Sequence, residues 1–277
     1  MATRVVAVTS PGGIGYDVDT HYSPMPFEAA LTPPIPNYVE DRRKPMQSHS
    51  QIASNDLWNQ VEAVMSKYDL LQHPFYQAWS NGELTRPQLA AYGEQYLPHV
   101  AAFPTYLTAL HARLPEGRAR KAILANAADE ESNGRSHADI WRQFVSEMST
   151  DDSRPPAPVP EMQDLVNEYA TIAREASLPT ALGALYAYES QVPRVAASKL
   201  AGLKEFYGAN DRACEYFALH ITADVHHSNV WRSLMEGCVK EDTASVPEIL
   251  AGVEQGARTL WQALDGIEAA RTAALIH

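Results

Sequence analysis

Three histidines and three acidic residues of this chain carry side chains of the types that bind transition metals. Two of the histidines and one of the carboxylates belong to the short string HITADVHH at residues 220–227. Each residue of an α-helix advances by about 100°, which rotates Asp224 by about 40° and His227 by about −20° from His220. The three side chains therefore project from one helix face. Two imidazoles and a carboxylate placed in this way suit iron, manganese or zinc.

A fourth and a fifth candidate ligand come from the string ADEESNGRSH, in which three acidic residues precede His137. On a continuous helix Glu130 points within about 20° of His137, whereas Asp129 deviates by about 80° and Glu131 by about 120°. Glu130 is therefore the predicted ligand, and Glu131 is predicted to be solvated. Gly134 is the weak point of this argument, because glycine loosens a helix.

The sixth candidate, Glu189, lies in the largely apolar and aromatic string GALYAYESQVPRV. A charge in such a segment must be paired or bound if it is buried. Pro193 follows four residues later, excludes the hydrogen bond to the Glu189 carbonyl and predicts a kink in the helix.

Each candidate has a simpler interpretation when it is taken alone. A histidine on an apolar face is usually a satisfied core residue, and single acids on helices are usually solvated. Three carboxylates and three imidazoles on three helices nevertheless match carboxylate-bridged di-iron or iron–manganese centres in helical bundles. Hydrolytic zinc chemistry is the alternative, which the lack of a thiolate or dedicated nucleophile beside the cluster disfavours.

Helices must position these side chains. From Ser54 onward the spacing of apolar residues is helical almost throughout, and Ser54 is the predicted N-cap of the first helix. Thr85 and Gln88 form a capping-box pattern, while Pro98 and Pro104 are expected to kink or divide the helix that follows. With no strand-rich segment, we predict one all-α domain of seven to eight helices over residues 53–277. The later helices are predicted at about 85–113, 117–148, 161–177, 179–208, 211–239 and 246–270, with a loop at 149–160.

Residues 1–52 differ in composition from the rest of the chain, because they contain seven prolines and three glycines. This composition predicts an extended or disordered leader. The net charge of −12 supplies no basic patch, which argues against nucleic acid and anionic membranes as partners. We find no membrane span, no signal peptide and only two cysteines, so a cytoplasmic protein that acts on small molecules is expected.

Longer strings of this chain resemble those of a known family. They are HPFYQAWSNGELT, VAAFPTYLTALHARL, IWRQFV, LYAYESQVPR and HITADVHH, together with the DEE triplet before His137. Over about residues 54–265 the chain resembles the haem-oxygenase-like di-metal oxidases, and among them the CADD-like group (chlamydial protein associating with death domains). The resemblance implies a TenA/PqqC-like helical bundle and places the metal ligands of the family on the six candidate residues.

The resemblance also implies a function, which is the formation of 4-aminobenzoate for folate synthesis. Two metal ions (Fe/Fe or Mn/Fe), dioxygen as co-substrate and an external reductant would be required. The protein's own Tyr76 would supply the aromatic ring and its Lys199 the amino nitrogen, in a single turnover. By the same resemblance, Tyr92 and Tyr188 match tyrosines near that site that could carry radicals.

Alternatives remain open at this point. Without the family, Tyr76 is predicted to be a packing aromatic residue and Lys199 a surface lysine. A multiple-turnover oxidase of the same fold would act instead on an external amine, amino acid or fatty acid, by N-oxygenation, desaturation or C–C cleavage. A non-enzymatic interaction module is the third hypothesis, although nothing in the chain carries a death-domain association. The identity of the metals and the formation of a homodimer are also open.

Overall fold

The architecture is entirely helical in the computed structural model, which describes residues 49–131, 134–150 and 156–274. Ten α-helices and two short 3₁₀-helices account for the regular structure of these residues, which contain no strand. The prediction of an all-α domain is confirmed. The helices are α1 (His49–Met65), α2 (Pro74–Ser80), α3 (Arg86–Arg113), α4 (Arg118–Glu131), α5 (His137–Met148), α6 (Pro160–Glu175), α7 (Leu178–Glu189), α8 (Val192–Glu205), α9 (Asp211–Glu241) and α10 (Ser245–Ala273).

The N-terminal boundary differs from the prediction. Helix α1 begins at His49, so Ser54 lies inside this helix and the N-cap predicted for it is wrong. The proline-rich leader predicted for residues 1–52 falls almost wholly outside the described residues and stays a prediction. None of the described helices has the length and apolar character that crossing a membrane requires.

Helix α3 begins with the predicted capping box. The Thr85 hydroxyl accepts a hydrogen bond from the Gln88 backbone N–H at 3.3 Å, and the Gln88 side chain accepts one from the Thr85 N–H at 2.9 Å. Two backbone donors that the helix start leaves unpaired are thereby satisfied. The helix then runs through Pro98 and Pro104 without being divided at either residue.

The helix predicted over residues 117–148 is divided into α4 and α5, because Gly134 adopts a left-handed φ of 77° that ends a right-handed helix. Ser136 then caps α5 by accepting a hydrogen bond from the Asp139 N–H. His137 is the first residue of α5, so the angle predicted between Glu130 and His137 on one continuous helix does not apply.

The helix predicted over residues 179–208 is likewise divided, since α7 ends at Glu189 and α8 begins at Val192. Pro193 therefore does not kink a helix, as was predicted, but lies in the first turn of α8. Proline is well tolerated there because its missing N–H has no partner within the helix at that position. These two divisions and the short helix α2 explain why the described residues contain more helices than the seven or eight predicted.

Glycines allow the helices around the site to approach closely. A Cβ atom on Gly252 of α10 would lie 2.8 Å from the Thr180 carbonyl carbon of α7, the helix that ends at Glu189. In the same way, a Cβ atom on Gly202 of α8 would lie 2.9 Å from the indole of Trp79 on α2. The Trp79 indole N–H donates to the Lys199 carbonyl at 3.1 Å. These contacts fix α7 against α10 and α2 against α8.

Candidate metal centre and adjoining tyrosine–lysine pocket

The six candidate ligands converge in the interior of the bundle, although their helices cross it from different directions. Glu130 comes from α4, His137 from α5 and Glu189 from α7, while α9 presents one face that carries the other three residues. Because a predicted helix is divided, four helices rather than three contribute. All six side chains are buried, with exposed fractions between 1% and 7%: Glu130, His137, Glu189, His220, Asp224 and His227.

Five of these side chains form two groups that could each hold one metal ion. In the first group the ligand atoms of Glu130, His137 and His220 all lie within 4.8 Å of one another. In the second group the same spacing holds for Glu130, Glu189 and His227. Glu130 is common to both groups, so its carboxylate could contribute a ligand to each of two ions.

Two imidazole nitrogens of the cluster face carboxylate oxygens at short distances. His137 Nδ1 lies 2.8 Å from a Glu130 oxygen, and His227 Nδ1 lies 3.3 Å from an oxygen of Glu189 and 3.3 Å from one of Asp224. Neither nitrogen has a partner in hydrogen-bonding geometry. Buried carboxylates that converge on imidazole nitrogens need positive charge to balance them, which metal ions or protonated imidazoles can supply. The donor set therefore fits two transition-metal ions.

The ring nitrogens that point away from the cluster have partners. His220 Nδ1 lies 2.7 Å from the Tyr216 carbonyl oxygen, and His227 Nε2 lies 3.2 Å from a carboxylate oxygen of Asp129. Such contacts fix the orientation of a metal-binding imidazole and decide which nitrogen is free to bind. His220 therefore offers Nε2 to the centre, and His227 offers Nδ1. The sequence argument missed Asp129, because the helix rotation directs it away from His137.

Glu189 is held by two further donors that the sequence argument did not identify. The Asn126 side-chain amide donates to one carboxylate oxygen at 3.0 Å, and the indole N–H of Trp231 donates to the other. Both donors are buried. Hydrogen bonds of this kind satisfy the oxygens of a buried carboxylate and fix its orientation. No local pattern in the sequence indicates either donor, since they come from α4 and α9.

Burial shifts the protonation equilibria of the cluster. It lowers the pKa of His220 to about 3, which leaves this imidazole in the neutral form that binds metals. Burial, and after it the charges of Glu189 and Glu130, raises the pKa of Asp224. Negative charges that lie close together in a buried site raise the pKa of a carboxyl group unless a cation balances them.

Tyr76, Tyr92 and Lys199 meet in a second buried location, between α2, α3 and α8. Lys199 Nζ lies 2.9 Å from the hydroxyl oxygen of Tyr76 and 2.6 Å from that of Tyr92, and the two hydroxyls are 3.2 Å apart. Nζ is 4.1 Å from the centre of the Tyr76 ring. Lys199 is only 5% exposed, so its interpretation as a surface lysine is wrong.

A small cavity of about 30 Å³ connects these three residues with Tyr188 and Tyr216. A still smaller cavity of about 10 Å³ lies at the metal cluster and is lined by Glu130, Glu189, His220 and Asp224, and again by Tyr188 and Tyr216. Tyr188 and Tyr216 thus form part of the wall of both cavities. The sequence argument identified Tyr188 but not Tyr216, although Tyr216 lies one helical turn before His220.

Burial determines the charge state of the tyrosine–lysine pocket. It lowers the pKa of the Lys199 amine well below its usual range, because no water solvates the ammonium form. It raises the pKa of the Tyr76 and Tyr92 phenols above their usual range. The pocket therefore favours a neutral amine beside two neutral phenols.

The all-helical bundle and its buried carboxylate–histidine cluster define a metal-binding protein of the haem-oxygenase-like class. The sequence profile of a family described as iron-containing redox enzymes matches residues 90–261. The chain belongs to this family.

Two curated relatives and one solved structure are similar to the chain. The 4-aminobenzoate synthase of Nitrosomonas europaea is 38% identical over 232 residues, which cover 78% of this chain and 92% of that protein. The 4-aminobenzoate synthase of Chlamydia pneumoniae is 37% identical over 70% of this chain and 87% of that protein. A TenA homologue from Pseudomonas syringae pv. tomato superposes with a TM-score of 0.63 at 18% identity, over 83% of this chain and 98% of that structure. The last comparison shows the shared fold alone and confirms the predicted TenA-like bundle.

Proposed function

We propose that this protein is an oxygen-dependent di-metal oxidase that forms 4-aminobenzoate from its own Tyr76 and Lys199. Its membership of the iron-containing redox enzymes and its similarity to two 4-aminobenzoate synthases support this function. The observation that carries the proposal is the buried contact between Lys199 Nζ and the Tyr76 hydroxyl, 2.9 Å apart and 123 residues apart in the sequence.

The pattern of substituents in the product matches this contact. In 4-aminobenzoate the amino group is para to the carboxylate, just as the hydroxyl of tyrosine is para to its Cβ atom. The ring carbon that bears the Tyr76 hydroxyl is therefore the carbon that would carry the amino nitrogen. Lys199 Nζ lies beside this hydroxyl and 4.1 Å from the ring centre, which places the nitrogen donor at the required end of the ring.

The protonation state of Lys199 favours the same chemistry. An ammonium has no lone pair and cannot form a new bond to carbon, whereas a neutral amine can. Burial lowers the pKa of Lys199 and thus supplies the neutral form. The hydroxyl of Tyr92, 2.6 Å from Nζ, holds the amine in place.

The size of the pocket supports this proposal over oxidation of an external substrate. Pockets that bind small molecules usually measure about 300–1,000 Å³. The cavity beside Tyr76 and Lys199 measures about 30 Å³, which is room for about two water molecules. An aromatic substrate in addition to Tyr76 does not fit in a cavity of this size, which supports the ring of Tyr76 as the one that reacts.

Glu130, His137, Glu189, His220, Asp224 and His227 would hold two ions, which we propose to be Fe/Fe or Mn/Fe. When bound, these ions would supply the oxidation of the phenol with dioxygen as co-substrate and electrons from an external reductant. Tyr188 lies in the wall between the centre and the pocket, and we propose that it relays the oxidation to Tyr76. Consumption of Tyr76 and Lys199 would limit each protein molecule to a single turnover.

Mass spectrometry of protein and product tests the proposal. Metal-free protein is loaded with iron or manganese under anaerobic conditions and then exposed to dioxygen with a reductant. Protein labelled with ring-¹³C tyrosine and ε-¹⁵N lysine should yield 4-aminobenzoate that carries both labels, and the peptides containing Tyr76 and Lys199 should lose mass. Tyr76→Phe should yield no product and retain its metal content, whereas the control Tyr68→Phe, a half-buried tyrosine outside the pocket, should retain both.

Two results would contradict the proposal. Unlabelled product, or product from Tyr76→Phe, would mean that the ring comes from elsewhere. More than one equivalent of product per protein molecule, obtained only with an added substrate, would favour the multiple-turnover oxidase. The partners that we propose are small molecules and dioxygen, while cytoplasmic location and a homodimer stay predictions.

A further inference from the structure

We propose that Asp129 is a positioning residue that orients His227 and thereby controls the binding of one of the two metal ions. The inference rests on the metal centre of the proposed function. It assigns a task to a residue that lies outside the six candidate ligands. It also predicts that a single substitution at the protein surface weakens the binding of one ion and leaves the other bound.

The contact crosses from the surface to the interior. Asp129 lies near the end of α4 with a side chain that is 59% exposed, whereas the His227 side chain on α9 is 5% exposed. A carboxylate oxygen of Asp129 lies 3.2 Å from His227 Nε2. A carboxylate accepts and does not donate, so this contact uses an Nε2–H of His227 and leaves Nδ1 as the nitrogen that would bind an ion at the centre.

The inner nitrogen of His227 contacts two other candidate ligands. His227 Nδ1 lies 3.3 Å from both Glu189 and Asp224 but has no partner in hydrogen-bonding geometry. A ring flip or the other tautomer would place an N–H where the ion must bind. Carboxylate partners of this kind commonly fix the tautomer and ring orientation of metal-binding histidines.

The effect of Asp129 should be confined to one ion. His227 belongs to the group with Glu130 and Glu189, and the other group consists of Glu130, His137 and His220. His220 has its own outer partner, the Tyr216 carbonyl at 2.7 Å, which a change at residue 129 does not touch. Loss of Asp129 should therefore weaken the ion at Glu189 and His227 and leave the other ion bound.

Titration of the metal-free full-length protein with Mn²⁺ tests the inference, with bound metal measured after equilibrium dialysis. Electron paramagnetic resonance distinguishes a single bound Mn²⁺ from a coupled pair. Asp129→Ala should weaken the binding of one ion by about 10- to 100-fold, the usual effect of removing such a partner, and should leave the other unchanged. The spectrum at low metal excess should then be that of isolated Mn²⁺.

Asp129→Asn and Glu131→Ala serve as matched variants. The amide oxygen of asparagine can accept the same hydrogen bond, so Asp129→Asn should restore the binding of the second ion. Glu131 lies two residues after Asp129, at the end of α4, and is exposed, so Glu131→Ala makes the same change of charge without the contact and should bind both ions.

The outcomes separate the inference from the proposed function. If wild-type protein and Asp129→Ala bind two Mn²⁺ ions equally well, or if Asp129→Asn is as weak as Asp129→Ala, the positioning role is overturned and the metal centre stands. If the wild-type protein binds fewer than two ions, the centre itself is overturned, and the inference with it.

Discussion

Replacing Lys199 by methionine should remove the product and, at neutral pH, relieve an energetic penalty on the fold. Methionine has a similar length without a charge or a branch, so it can fill the same space among the tyrosine rings. Burial lowers the pKa of Lys199, and no carboxylate of the described residues opposes that shift. The rings around Nζ attract an ammonium by only about 0.5–2 kcal/mol, which is less than the cost of dehydrating it.

The size of the effect follows from proton linkage. An unfolded lysine keeps its proton up to a pH of about 10.4, whereas the folded protein must release it. The folding free energy of the wild type therefore improves by about 1.4 kcal/mol for each pH unit between the lowered pKa of Lys199 and about 10.4. The variant lacks this dependence. Its two lost hydrogen bonds, with Tyr76 and Tyr92, cost about 1 kcal/mol each and do not vary with pH.

Urea unfolding of metal-free protein at pH 7.5, 8.5 and 9.5 measures this difference. Relative to the wild type, the free energy of unfolding of Lys199→Met should fall with rising pH, by about 1.4 kcal/mol for each pH unit above the lowered pKa of Lys199. The control Lys204→Met changes an exposed lysine of the same helix and should show no such trend. A difference for Lys199→Met that stays constant with pH would refute the reasoning, because the folded protein would then retain the ammonium.

Further predictions concern packing, the shared ligand and the relay. Gly252→Ala should destabilise the protein by about 1–3 kcal/mol in the same urea assay, because the new methyl group meets the Thr180 carbonyl. Gly237→Ala should stabilise it by about 0.5–1 kcal/mol, because a Cβ atom there has nothing within 4 Å. Glu130→Ala should lose both metal ions, since Glu130 belongs to both groups, and retention of one ion in the dialysis assay would contradict this. Tyr188→Phe should retain its metal and form product more slowly, and an unchanged rate of product formation would exclude the relay.

Local sequence patterns predicted much of the fold. The capping box at Thr85 and the shared face of His220, Asp224 and His227 need only residues within two helical turns of one another, so helix geometry alone fixes them. The divisions after Glu131 and Glu189 were not predicted. Their causes are the left-handed backbone at Gly134 and a proline that begins a helix rather than bending one, and helical periodicity does not distinguish these cases.

The sequence by itself thus determined the chemical types available and the helix faces that carry them. Only the tertiary structure decided which faces meet, that Lys199 is buried against Tyr76, and that Asp129 reaches His227 across 98 residues of sequence. The physical reason is that helix periodicity is a property of neighbouring residues. The contacts between helices, and the burial that lowers the pKa of Lys199, depend instead on how closely glycines such as Gly202 let distant segments pack.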